Sequence, residues 1–145
     1  SVVKRNSQIN VTVLLNSKAP HYAQVREFSL NNLDWVEHLD FVDNMAELMS
    51  KCYIAIGAPG STSWERACLG VPSLIVPLAE NQTDIASNLE AAKAAIKVEL
   101  TEFNNSFINA YEDILENWQA YHETNLALCD GLGRDRVLQK IQRLF

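Results

Sequence analysis

The chain has 145 residues, 48% of them hydrophobic and 21% charged, with a formal net charge of −6. That length fits one domain that can bury a core without staples, and the acidic balance argues against nucleic acid or an anionic membrane as partner. Three cysteines without a CxxC spacing suggest neither a disulfide framework nor a zinc site, which fits a reducing cytoplasm. No signal-peptide pattern is visible and no apolar run nears about 18 residues, so neither export by that route nor a membrane span is expected.

Ile9 to Leu15 reads as a strand rich in β-branched residues. Pro20 to about Leu30 reads as a helix that starts near a proline. Trp35 to Val42 has partial period-two character and is expected to be a strand with its exit. Asn44 to Met49 is a short helix with Asp43 or Asn44 as its N-cap. Cys52 to Ile56 reads as a buried strand, and Thr62 to Leu69 as a helix ended by Gly70 and Pro72. Ser73 to Val76 is a strand stopped by Pro77. Asn81 to Ala95 is helical and Ile96 to Val98 a short strand. Asn104 to about Leu128 is helical, with Ile108, Tyr111, Leu115 and Trp118 at spacings of three and four. Gly131 and Gly133 break the pattern, and Arg134 to Phe145 forms a last helix with Val137, Leu138, Ile141 and Leu144 inward.

Strands separated by helices imply parallel βαβ units and an α/β fold with a mostly parallel, Rossmann-like sheet flanked by helices. Ligands of such sheets bind beyond the carboxyl ends of the strands. Three segments are expected at that edge: Phe41–Met45, Gly57–Glu65 and Leu78–Gln82.

The most informative stretch is the turn after Ile56. Gly57, Pro59 and Gly60 bend the chain, and Ser61, Thr62 and Ser63 open a helix carrying Glu65 in its first turn. A glycine turn that feeds a helix presents free N–H groups to an anion, and the helix dipole adds to the attraction. Glu65 follows Ser61 by about one turn, roughly 6 Å along the axis. That spacing suits a ligand with phosphate at one end and a sugar diol further along. The plain alternative is a capping box, in which Thr62 and Glu65 satisfy each other's helix-end amides. Spacing alone does not choose between them. The turn is neither a GxGxxG nor a P-loop.

Other candidates carry equally plain alternatives. His21, after Pro20, stands at a strand–helix junction and could be a sugar contact or a solvated capping residue. His38 and His122 have no acid or cysteine at metal-ligand spacing and read as surface or half-buried. Trp118 reads as core, and Trp64 reads as core in preference to a residue that lines the cleft. Ser63 has no histidine near it and is not expected to be a nucleophile. Glu80 and Asp84 suit a helix start electrostatically. The Gly131–Arg136 loop reads as a break between helices that lets the last one reach another domain.

Four ordered blocks then carry a resemblance: Asp43 to Met49 (DNMAELM), Gly57 to Glu65 (GAPGSTSWE), Leu69 to Leu74 (LGVPSL) and Glu80 to Gln82 (ENQ). Together they are similar to the C-terminal nucleotide-binding half of GT-B-like UDP-sugar enzymes. The nearest resemblance is to the UDP-sugar hydrolases of pseudaminic acid biosynthesis, the pathway that feeds flagellin glycosylation, and to the spore-coat polysaccharide proteins of the same family. The closing Asp130-Gly131-Leu132-Gly133 and Arg136-Val137 also resemble the family's end. The resemblance implies that Gly60, Ser61 and Thr62 cradle diphosphate and that Glu65 accepts hydrogen bonds from both ribose hydroxyls. It implies that Phe41 and Val42 meet the uracil, that Asn81 and Gln82 approach the sugar or its phosphate, and that His21 contacts the sugar. Pro59 stands where the family usually has glycine, and removes one N–H donor.

The family's catalytic histidine belongs to an N-terminal domain, in a Gly-His-x-x-Arg motif that this sequence lacks. Asn6 to His21 resembles the second strand of the C-terminal half. The expectation is therefore a fragment: residues 1–145 as one UDP-sugar-binding domain, inactive alone, with the N-terminal domain of its parent chain as partner. A homodimer that covers an unpaired sheet edge is a further expectation. No metal or cofactor is expected, since backbone donors and the helix dipole can hold the charge. A glycosyltransferase donor domain, a UDP-sugar epimerase and a non-catalytic binding or scaffold domain remain as alternatives.

Overall fold

The structure, a computed structural model, describes residues 9–144. Asn6, Ser7 and Gln8 of the Asn6–His21 segment, and Phe145 of the expected last helix, lie outside the described residues. The chain divides after Met45 into two compact units.

The first unit is a single βαβ motif. Strand β1 (Val11–Leu14), helix α1 (Tyr22–Leu30) and strand β2 (Val36–Leu39) follow one another. β1 and β2 pair in parallel, from Val11 opposite Val36 to Leu14 opposite Leu39. The buried Ser29 hydroxyl donates to the Val36 carbonyl at 3.2 Å, which ties the end of α1 to the start of β2.

The second unit opens on helix α2 (Met45–Ser50), all but its first residue, and contains strand β3 (Ala55–Gly57), helix α3 (Ser61–Cys68), strand β4 (Ser73–Ile75), helix α4 (Thr83–Ala91) and strand β5 (Ala95–Lys97). Helices α5 (Phe103–Glu116), α6 (Trp118–Leu128) and α7 (Gly133–Gln142) complete it. The three strands form a parallel sheet in the order β3-β4-β5. Central β4 is buried along its length. Neighbouring strand residues point to opposite faces, so Leu74 and Ile75 seed two cores. Ile75 packs with Ala86, Leu89, Ala94 and Ala95, and Leu74 with Val98, Ala110 and Ile114. Each fully buried aliphatic side chain contributes about 1.5–3 kcal/mol. Buried Asn125 of α6 donates to the Ala94 carbonyl at 2.7 Å and holds the entry to β5.

The α/β expectation of parallel sheets flanked by helices holds, while several boundaries move for local reasons. β3 begins later than Cys52 because the Lys51 and Cys52 amides bond back to Leu48 and Met49 and finish α2. It is also an edge strand, with Ile56 57% exposed, rather than a buried one. α4 stops at Ala91, short of Ala95. Lys93 takes a left-handed φ of 55°, and the Lys93 and Ala94 amides close on Glu90 and Leu89. That is a Schellman stop without glycine. The long helix over 104–128 is two helices, broken at Asn117, whose side chain bonds back to the Asp113 carbonyl and carboxylate. Ile114 and Ala110 are the buried positions of α5, with Trp118 packed at the cluster's margin. No residue of α7 is buried, and Val137, Leu138, Ile141 and Leu144 are exposed rather than inward. Their spacing defines an apolar face but does not supply a neighbour to cover it.

Candidate functional site

The turn between β3 and α3 lies at the carboxyl edge of the three-stranded sheet, beside the loop that follows the adjacent strand β4. α3 starts at Ser61 with Gly60 as its N-cap, one residue earlier than the sequence suggests. That shift changes the capping. The third helical residue is Ser63, whose Oγ accepts from the Gly60 N–H at 3.2 Å. The expected Thr62–Glu65 box therefore does not form. Glu65 is exposed instead.

The shift also decides which groups face outward. The Ser61 and Thr62 amides are the first two of the helix and have no intrahelical acceptor. Both residues are exposed. Gly60 has φ 176°, an extended conformation open to any residue, and a Cβ there would meet nothing within 4 Å. Its own amide is engaged by Ser63, so what it offers an approaching group is a bare Cα. Pro59 is fully buried and serves packing.

The C-terminal end of α3 is closed by a Schellman motif. Val71 and Gly70 amides bond to the Arg66 and Ala67 carbonyls at 2.9 Å each. Gly70 has φ +68°, and a Cβ there would lie 2.5 Å from His122 Nδ1. His122 is half-buried, bonded to the Gly70 carbonyl at 2.6 Å and stacked on Trp118 at 4.7 Å. It is a packing residue. Cys68, the last residue of α3, lies 2.8 Å from Cys129 Sγ, and that contact together with burial pushes its thiol up.

Asn81 and Gln82 belong to a single 3-10 turn, Glu80–Gln82, ahead of α4. Gln82 Oε1 accepts from the Leu78 N–H at 2.8 Å and so fixes the loop after β4. Asn81 is exposed. Trp64 is 42% exposed and is not core. The buried face of α3 is Ser63, Arg66 and Ala67, and position 64 lies off that i, i+3, i+4 stripe.

The sequence reading missed Arg66. Its side chain is only 4% exposed, under the turn. Nε donates to the Thr62 carbonyl at 3.3 Å, and one terminal nitrogen donates to the Ala58 carbonyl at 3.2 Å and to Ser63 Oγ at 3.0 Å. Burial lowers its pKa, opposed by the charge of Glu65. An arginine beside a glutamate in a helix reads as solvated, and no pattern in the sequence marks it as buried.

In the first unit, Phe41 is 73% exposed just past β2, and Val42 is half-buried. His21 is the N-cap of α1, at φ 64°, with Nδ1 3.0 Å from Gln24 Oε1. A non-glycine residue held there is uncommon, and such residues gather at ligand sites. His38 is half-buried, its Nε2 3.0 Å from the Leu15 carbonyl. Among the described residues no cluster of His, Cys, Asp or Glu is arranged to hold a metal, and no helix is long and apolar enough to cross a membrane.

Comparison with known proteins adds a family. The model described as "Glycosyltransferase family 28 C-terminal domain" matches residues 1–132. The chain is 28% identical over 141 residues to the spore coat polysaccharide biosynthesis protein SpsG of Bacillus subtilis (strain 168), covering 94% of this chain and 41% of that protein. It is 38% identical over 93 residues to a UDP-N-acetylglucosamine–N-acetylmuramyl-(pentapeptide) pyrophosphoryl-undecaprenol N-acetylglucosamine transferase of Lactococcus lactis subsp. cremoris (strain MG1363), covering 60% of this chain and 26% of that one. The chain thus spans well under half the length of these relatives. Among solved structures, a UDP-GlcNAc 2-epimerase from Neisseria meningitidis bound to UDP-GlcNAc superposes with TM-score 0.69 at 16% identity, over 98% of this chain and 38% of that one. The glycotransferase of kitacinnamycin superposes with TM-score 0.67 at 15% identity, over 97% of this chain and 38% of that one. These likenesses establish the GT-B-like fold. They do not support the hydrolase activity that the sequence resemblance implied, and the transferase or epimerase alternative fits at least as well.

Proposed function

The chain belongs to the glycosyltransferase family 28 C-terminal domain family, and on that premise we propose that it is the UDP-sugar-binding domain of a glycosyltransferase-type enzyme. The single observation that carries the reading is the exposed start of α3. Two unclaimed amides, at Ser61 and Thr62, open beside the bare Cα of Gly60, with the exposed Glu65 carboxylate one turn on. The amides and the Ser61 and Thr62 hydroxyls donate to the diphosphate, helped by the helix dipole. The ribose hydroxyls donate to Glu65. Asn81 faces the sugar or its phosphate, while Gln82 holds the loop that carries it. Relatives named for transfer from UDP-N-acetylglucosamine support a UDP-sugar as the ligand class.

Phe41 and Val42 keep the uracil role, and His21 the sugar contact, as proposals belonging to the first unit. The reacting group comes from a preceding domain of the parent protein, so the chain alone turns over nothing, and the enzyme works in the cytoplasm. Hydrolysis of a deoxy-diacetamido UDP-sugar in pseudaminic acid biosynthesis is the finer reading and takes second place. It rests on the sequence resemblance alone, since the spore coat relative matched over 94% of the chain is named for polysaccharide biosynthesis and for no reaction.

Calorimetry with UDP, CDP and ADP tests the proposal. UDP is expected to bind more tightly than either. Equal binding of all three removes the uracil assignment, and no binding of UDP removes the donor reading.

A further inference from the structure

Charged side chains are almost never fully buried unless paired, yet Arg66 is 4% exposed and, among the described residues, makes no ion pair. Its acceptors are two carbonyls and a hydroxyl, all on the turn or the first turn of α3: Ala58, Thr62 and Ser63. The end of β3 lies against it. A Cβ on Gly57 would sit 3.4 Å from Nη1 of Arg66. Ser63 Oγ joins the two halves of the arrangement, accepting from both Arg66 and the Gly60 N–H. The guanidinium therefore fixes the backbone that presents the Ser61 and Thr62 amides. It also leaves a positive charge in a low-dielectric position behind them, opposed among the described residues only by the exposed Glu65 carboxylate beside it in the chain.

Resting on the donor reading above, we propose that Arg66 is a positioning residue of the diphosphate site. It holds the β3–α3 turn in its amide-presenting shape and supplies the buried counter-charge that makes the turn discriminate ligands by phosphate charge. Coulombic attraction scales with ligand charge and is strong where water is excluded. The helix dipole already gives the turn some preference for charged ligands, and a buried guanidinium steepens it.

The test is Arg66→Gln and Arg66→Lys in the full chain, each titrated with uridine, UMP and UDP. Arg66→Gln should bind uridine within about 2-fold of wild type, UMP several-fold more weakly, and UDP about 10- to 100-fold more weakly. Arg66→Lys keeps the charge and should recover most of the UDP affinity, though not the planar fork. General damage to the fold lowers all three ligands alike, and a role confined to the turn's shape leaves Arg66→Lys as weak for UDP as Arg66→Gln. Either result, or no loss at all, overturns the inference while the donor reading stands. Failure of the wild-type chain to bind any of the three overturns the donor reading and the inference with it. Should Arg66→Gln not fold, the wild-type Arg66 Nε–H resonance decides. Movement with UDP and inorganic pyrophosphate but not with uridine supports the role, and no movement with UDP overturns it.

Discussion

Glu65→Ala separates a ligand role from a helix-capping role because the structure has already given the cap to another residue. With Gly60 as N-cap, the Gly60 amide is satisfied by Ser63 Oγ at 3.2 Å, and the exposed Glu65 carboxylate forms no capping bond. Removing an exposed side chain away from such features changes stability by no more than about 0.5 kcal/mol. A hydrogen bond to a charged group contributes about 1.5–3 kcal/mol. Loss of the ribose contact proposed for Glu65 should therefore weaken UDP by roughly 10- to 150-fold. The assay pairs calorimetric titration of UDP with a thermal melt of the same preparations. Titrating 2′-deoxy-UDP as well closes the cycle: wild type should bind it more weakly than UDP, and Glu65→Ala should no longer distinguish the two. Unchanged UDP affinity with a lower melting temperature would refute the reasoning and return Glu65 to the helix end.

Ser63→Ala removes the acceptor shared by the Gly60 amide and Arg66. It should cost about 1–3 kcal/mol in denaturant unfolding, and no loss would show that water replaces the hydroxyl. Gly70→Ala forces a side chain onto φ +68° and to 2.5 Å from His122 Nδ1. Strain and overpacking together predict a loss of about 2–4 kcal/mol, read in the same assay. Arg136 holds the Asp130 carboxyl down to about 2 from its ordinary 3.8. The folded-state pKa is depressed, so this contact's stabilisation is complete above the unfolded value and is lost as pH falls from about 4 towards 2. Carboxyl-detected NMR should give a midpoint near 2 for Asp130, moving back towards 3.8 in Arg136→Ala; an unmoved midpoint would disconnect the pair.

The β3–α3–β4 segment is legible in the sequence because its punctuation is glycine and proline. Gly57 and Gly60 open the turn, and Gly70 takes the left-handed stop that L-residues avoid. Where the same stop is made by Lys93, no such letter marks it, and the helix reads on through Ala95. The break at Asn117 is equally quiet. A side chain bonding back to Asp113 ends α5, while the apolar spacing continues across it. Periodicity likewise marks the apolar face of α7 without saying what lies against it. The least legible feature is Arg66, since its burial depends on carbonyls of Ala58 and Thr62 that come together only once the turn has formed.

Gly60 offers the sharpest check on where the phosphate sits. Its φ of 176° is open to any residue, and the space a Cβ would occupy is empty to 4 Å. Neither backbone conformation nor packing within the described residues asks for glycine. On the proposed donor reading, glycine there lets the diphosphate approach the backbone closely, besides serving as an acceptable N-cap. For Gly60→Ala, the loss of a better N-cap residue and the gain from a stiffer unfolded chain are of similar size, so stability should stay within about 1 kcal/mol. Uridine should bind as before, because the Glu65 contact is untouched. UDP should bind at least about 10-fold more weakly if, as proposed, the diphosphate approaches along the path that the methyl would occupy. Equal loss for both ligands would mean that the turn itself has moved, and no loss for either would place the diphosphate somewhere other than the start of α3.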